Sequence, residues 1–120
     1  MNYSQEINTQ RCDDLISIGA TCVAQIEGRF FWLIEVEMDV MGKLREEVII
    51  REITATQATV LIATGVMRCQ IVDTLPTSIP GIEEEPICAF VVGQNVFLVF
   101  SVENATDRLV LVRVPLCRII

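Results

Sequence analysis

Apolar side chains recur at every second position through long stretches of this chain. In residues 18–27 the even positions Ile18, Ala20, Cys22, Ala24 and Ile26 are apolar, while Thr21, Gln25 and Glu27 are polar. In residues 30–40 the even positions Phe30, Trp32, Ile34, Val36 and Met38 are apolar, opposed by Phe31, Leu33, Glu35, Glu37 and Asp39. A period of two puts alternate side chains on opposite faces of an extended backbone, so both stretches read as half-buried β-strands. Residues opposite each other in an antiparallel pair share a face. A two-residue turn at Glu27 and Gly28 would set Ile26 against Arg29. A three-residue turn that includes Arg29 sets Ile26 against Phe30 and Cys22 against Ile34. The alternation therefore predicts the three-residue connection, or a bulge of equal effect. It puts Phe30, Trp32 and Ile34 in the core and Val23, Phe31 and Leu33 outside.

Further along, residues 47–55 read as a strand joined through Thr56 and Gln57 to a hairpin of residues 58–63 and 66–73. A two-residue turn at Thr64 and Gly65 pairs Ile62 with Met67, Val60 with Cys69 and Ala58 with Ile71, all apolar. Residues 73–86 hold three of the four prolines and a Pro80-Gly81 turn signal, which makes them a long irregular loop. Residues 87–92, 96–103 and 108–114 then read as three strands. The expected fold is all-β, an antiparallel barrel or two-sheet sandwich of about eight strands, with room for a short N-terminal helical turn. Residues 1–17 form an N-terminal segment packing on the sheet, and residues 18–120 form a single domain with the long loop at 73–86.

The last strands are apolar on both faces. Val96, Leu98, Phe100 and Val102 lie on one side of theirs, Phe97 and Val99 on the other. Such runs imply burial from both sides. Chains of about this length bury only about 60–70% of the surface they expose when unfolded, and 52% of the 120 residues are hydrophobic. Something must roof the second face: the N-terminal segment with Ile7, Leu15 and Ile16, the long loop, or another subunit.

Much chemistry is excluded. Without histidine there is no imidazole acid–base catalysis and no His-containing triad or zinc site. Gly-rich phosphate loops and Cys-x-x-Cys pairs are missing as well, so no cofactor is expected. The five cysteines (Cys12, Cys22, Cys69, Cys88 and Cys117) are odd in number, and the N-terminus lacks a secretion signal. They read as reduced thiols of a cytoplasmic protein, with Cys22, Cys69 and Cys88 packed as small hydrophobes. A net charge of −7 argues against direct contact with nucleic acid, and no apolar run reaches the roughly 18 residues of a membrane span. Lys43 is the only lysine, so sheet edges lack their common guard and need pairing, closure or a partner.

One polar constellation remains. Glu35, Glu37 and Asp39 occupy one face of one strand, where a solvated acidic row is the ordinary reading and a hard-cation site or a general base the sharper one. The expected function is a non-enzymatic protein-interaction module whose partner is another copy of itself, meeting through Val23, Phe31, Leu33, Phe97 and Val99. The alternative is a small barrel that binds an apolar molecule against Phe30, Trp32 and Met67. An acidic decoy protein and a carboxylate-based enzyme are weaker readings.

Overall fold

The computed structural model describes residues 15–75, 79–103 and 108–118. Eight strands form two four-stranded sheets that face each other as a sandwich, with no closed barrel among the described residues. In the first sheet β1 (Leu15–Ile26), β2 (Arg29–Val40) and β3 (Lys43–Ile53) form an antiparallel meander. The short β4 (Met67–Arg68) adds to β1 in parallel, giving the order β3-β2-β1-β4. The second sheet repeats this plan. The strands β6 (Cys88–Val92), β7 (Asn95–Val102) and β8 (Arg108–Pro115) form a meander, and β5 (Gln70–Val72) runs parallel to β8, giving the order β5-β8-β7-β6. Strand β1 begins at Leu15, inside the stretch expected to be an N-terminal segment. The expected N-terminal helical turn, Ile7, and the side chains of Leu15 and Ile16 lie outside the described residues.

The turn between β1 and β2 corrects the expected register. It has two residues, Glu27 and Gly28, with φ of 51° and 76°. Positive φ at both central positions is the backbone of the tight hairpin turn whose twist matches that of its strands. Ile26 therefore faces Arg29, Ala24 faces Phe31 and Cys22 faces Leu33. Irregularities between Leu15 and Ser17 and between Ile18 and Thr21 adjust the far end of the pair. Strand β2 is consequently turned over: Phe31 and Leu33 point between the sheets, and Phe30, Trp32 and Ile34 point away. The three-residue turn has the merit of keeping all even positions in the core. Strand β2, however, is apolar on both faces, so its pattern cannot choose between them.

The second correction lies at residues 55–63, where a helix replaces the expected strand. Helix α1 (Ala55–Ala63) begins at Thr54, whose hydroxyl accepts the Gln57 N–H while the Gln57 side chain accepts the Thr54 N–H. This reciprocal cap satisfies two orphan donors of the first turn. The Thr59 hydroxyl donates to the Ala55 carbonyl within the helix. Ala58 is the buried residue of α1, which lies against β1 and β2. The run Val60, Leu61 and Ile62 resembles a strand because three successive apolar residues carry no period of their own.

The core between the sheets is built from Cys22, Ala24 and Ile26 of β1, Phe31 and Leu33 of β2, Val92 of β6, Phe97 and Val99 of β7, and Leu109 and Leu111 of β8. The Phe90 ring bridges Phe31 and Phe97, with centroids 5.8 and 5.5 Å away. The outward faces of β7 and β8 are closed as well, since Val96, Phe100, Val102, Val110 and Val112 are all buried within the one chain. The two-sided burial expected of the last three strands is therefore present in β7 and β8 without a second subunit, but not in β6, where Ala89 and Val91 are exposed. Part of the long loop is pinned along β7. Glu83 N–H donates to Ser101 O and Ile87 N–H to Val99 O, and Ile82 bridges to Val102. Gly81, at φ +82°, sits so close to the Glu103 backbone that a side chain there would collide with the Glu103 carbonyl.

Between β4 and β5 stands a single residue, Cys69, and there the chain leaves one sheet for the other. Cys69 forms a disulfide with Cys22 of β1, and its N–H donates to Val23 O. The expected reduced thiols at Cys22 and Cys69 are thus corrected to a bridge. The two cysteines meet because the helix removes residues 55–63 from the sheet and lets β4 return beside β1. A link across 47 residues of sequence contributes about 2–4 kcal/mol by limiting the unfolded chain.

The inversion of β2 is directly measurable. Leu33→Ala should lower the unfolding free energy by about 2–5 kcal/mol in a urea titration, the usual cost of truncating a fully buried leucine. A loss below about 0.5 kcal/mol, typical of surface sites, would return Leu33 to the surface.

Candidate interaction surface

Every residue expected to form the interface is in the interior. Val23, Phe31, Leu33, Phe97 and Val99 are at most 6% exposed. Phe31, Leu33, Phe97 and Val99 belong to the core between the sheets; Val23 lies on the outward face of β1, the side that α1 covers. None is available to a partner of the folded chain. The surface they were meant to supply must be sought among the residues that displaced them.

The acidic row follows the same inversion. Glu35, Glu37 and Asp39 share the core-facing side of β2, beyond the point where the apolar layer ends. They do separate things. Glu35 Oε1 accepts the Ala20 N–H at 3.2 Å, and Gly19 leaves the room its carboxylate occupies. Asp39 Oδ1 accepts the Gly42 N–H and ties the second tight turn. Glu37 stands across the strands from Glu46 of β3. Among the described residues no group of three acidic or thiol side chains is placed to hold a metal ion. Instead Glu35, Glu37, Glu46 and Glu103 line an open cleft of about 390 Å³ whose floor includes Ser101. Partial burial pushes the Glu46 carboxyl above its ordinary range, helped by the charges of Glu35, Glu103 and Glu83 and by a hydrogen bond with Glu103.

On the opposite side of the same sheet, α1 and the outward faces of β2 and β3 enclose a groove of about 500 Å³ lined by Trp32, Arg51, Ile53, Val60 and Leu61. Trp32 is held in place: its Nε1 donates to Thr21 Oγ1 at 2.8 Å, and that hydroxyl donates to Leu33 O. Phe30 and Met67, expected to join Trp32 around a ligand, do not line this groove. Arg51 stands across the strands from Trp32 and forms no ion pair among the described residues.

The most exposed of the longer strands is β3. It is the edge of its sheet, it runs for eleven residues, and it packs mainly on β2. The turn before it, Met41 and Gly42, has φ of 54° and 83°. In such a hairpin the residues flanking the turn exchange both backbone bonds, and the pattern then alternates. Lys43, Arg45, Glu47, Ile49, Arg51 and Ile53 thus bond to β2. Leu44, Glu46, Val48, Ile50 and Glu52 turn their N–H and C=O groups to the open edge. On the core side Val48 and Ile50 pack against the interior, and Glu52 pairs with Arg29 at 2.7 Å. That hydrogen-bonded pairing with Arg29 holds the Glu52 carboxyl below its usual range. On the outward side Ile49 is 49% exposed; Leu44, opposite Asp39 on the core-facing side but beyond the apolar layer, is 64% exposed. The strand expected to start at residue 47 thus starts at Lys43, and the Met41-Gly42 turn is the signal in the sequence for that beginning.

No protein-family model matches the chain, and no significant match was found among curated proteins or among solved structures.

The cleft generates a pH-dependent expectation. A carboxyl whose folded pKa is raised contributes stability below its unfolded pKa and loses it as pH rises through the folded value. Glu46→Gln should therefore raise the urea midpoint at pH 7 and change it little below about pH 4, where a free glutamate is already mostly protonated. Equal midpoints for the two proteins at pH 7 would remove the strain assigned to Glu46.

Proposed function

We propose that this protein is a protein-interaction module that associates with copies of itself through the open edge of β3. The observation that supports this reading is the eleven-residue β3, an edge strand with a row of backbone donors and acceptors that no described segment pairs. An unpaired strand of this length is a template for another strand, and natural sheets blunt such edges with charged side chains, proline or bulges. Strand β3 carries charges of both signs, Lys43, Arg45 and Arg51 against Glu46, Glu47 and Glu52, but no proline and no break in its register with β2, so its edge suits a partner of complementary charge. The reading keeps the interaction role expected from composition and moves it from the buried faces of the sheets to their rim.

A second reading rests on the groove beside Trp32. Its apolar wall and Arg51, which has no ion-pair partner among the described residues, suit a small apolar molecule with an anionic end. No helix among the described residues is long and apolar enough to cross a membrane. Residence in the cytoplasm would require the Cys22–Cys69 bridge to persist against a reducing thiol pool. The burial of Cys22 supports that persistence by limiting attack on its sulfur.

Sedimentation velocity from about 1 to 100 µM tests the first reading. A concentration-dependent shift toward a dimer or larger species is expected, and a single monomer boundary throughout refutes self-association. For the second, the emission of Trp32, the only tryptophan, should shift on titration with a medium-chain fatty acid. An unchanged spectrum at millimolar fatty acid rejects the groove as a ligand site.

A further inference from the structure

We infer that two copies of the chain join β3 to β3 antiparallel, with Ile49 facing its own counterpart on a two-fold axis. This deepens the self-association reading and rests on it. Symmetry limits the choices. A two-fold axis normal to the sheet pairs residues of the same face, so the strands can slide only in steps that bring one residue opposite itself. Charge then selects among the registers.

With Ile49 at the centre, Glu47 faces Arg51 of the second copy and Arg51 faces its Glu47, so two ion pairs flank an isoleucine contact on the outward side. All three side chains are exposed in the single chain, and neither Glu47 nor Arg51 has an ion-pair partner among the described residues. On the core side Val48 faces Ile50 of the second copy and continues the apolar layer across the joint. Glu46 faces the second copy's Glu52, whose charge Arg29 already balances. The backbone agrees. Glu46, Val48, Ile50 and Glu52 are the residues whose N–H and C=O groups point to the edge, and in this register they meet one another as hydrogen-bonded pairs.

The other registers are worse: centring on Glu46 also sets Arg45 against Glu47 twice, but it opposes Glu46 to itself in the acidic cleft and leaves Val48 facing Leu44 instead of Ile50. Centring on Val48 sets Arg45 against Arg51 twice. Centring on Glu47 opposes Lys43 to Arg51 and Glu47 to itself. Centring on Ile50 leaves Arg51 facing Ile49 and forms no ion pair. The favoured arrangement fuses the two outer sheets into one continuous eight-stranded sheet, with each copy's second sheet packed behind its half.

Charge reversal tests the register. Glu47→Arg and Arg51→Glu each turn both ion pairs into like-charge contacts. Either variant alone should weaken the dimer about tenfold or more, the effect expected when cross-strand pairs at two symmetric positions change sign. An equimolar mixture of the two should recover the dimer. One copy is then basic at both positions and the other acidic at both, so opposite charges meet at each of the two contacts. The double variant Glu47→Arg/Arg51→Glu should dimerise like the parent, which guards against a single variant that folds poorly. Sedimentation at low salt reads every sample. If the parent dimerises and the reversals leave it unchanged, the β3 register is overturned while self-association stands. If the parent is monomeric at every concentration, both fall.

Discussion

The pairing of β1 with β2 governs this molecule. A two-residue turn at Glu27 and Gly28 sets Ala24 against Phe31 and Cys22 against Leu33, and one residue more would have sent the opposite set of side chains inward. With Phe31 and Leu33 between the sheets, Phe90 and Phe97 find ring partners, and Leu109 and Leu111 of the far sheet have an apolar layer to meet. With Trp32 and Ile34 outside, that face acquires enough apolar area to hold a short helix whose buried residue is Ala58. The direction of the acidic row follows too, because Glu35, Glu37 and Asp39 share parity with Phe31 and Leu33.

A second constraint joins the halves. Each sheet is a three-strand meander completed by a short parallel strand, and those two short strands are neighbours in sequence. Cys69 is the only residue between them, so the chain changes sheets within one step, and the bond to Cys22 secures that crossing to the centre of the first sheet. The apolar surplus of the composition is absorbed largely by this arrangement. Strands β7 and β8 lose both faces to the chain's own residues, and the loop pinned along β7 pairs backbone groups beyond the end of β6. Among the described residues the outer edge of β3 stays unpaired, and Leu44 and Ile49 are exposed along it.

That edge and the acidic cleft have a common origin. The hairpin of β2 and β3 extends past the region where the sheets pack tightly, so its core-facing residues change from apolar to acidic, from Leu33 to Glu35 and Glu37, and from Val48 to Glu46. In this cleft partial burial first, and the neighbouring carboxylates after it, push the Glu46 carboxyl above its ordinary range. Its outward side has no such clustering. Arg45, Glu47, Ile49 and Arg51 alternate in charge around an isoleucine, the pattern on which the proposed antiparallel pairing rests.

Alternation in residues 18–40, turn residues at regular intervals and apolar runs in 87–114 were enough to specify an all-β chain of about eight strands. The absence of histidine and of phosphate-binding loops bounded its chemistry. The all-β class belongs to local residue order, and the structure keeps it, although one expected strand is a helix and another is split at Cys69. The face of β2 that enters the core was decided only in three dimensions, because a strand apolar on both sides carries no preference until a turn and a partner sheet select one. Helix α1 was legible in principle from Thr54 and Gln57, yet three consecutive apolar residues obscured it until the outward face of β2 offered a place to pack. The Cys22–Cys69 bridge and the open edge of β3 were likewise beyond a linear reading, since both depend on which strands finish as neighbours, and that is set by how the two sheets close on each other.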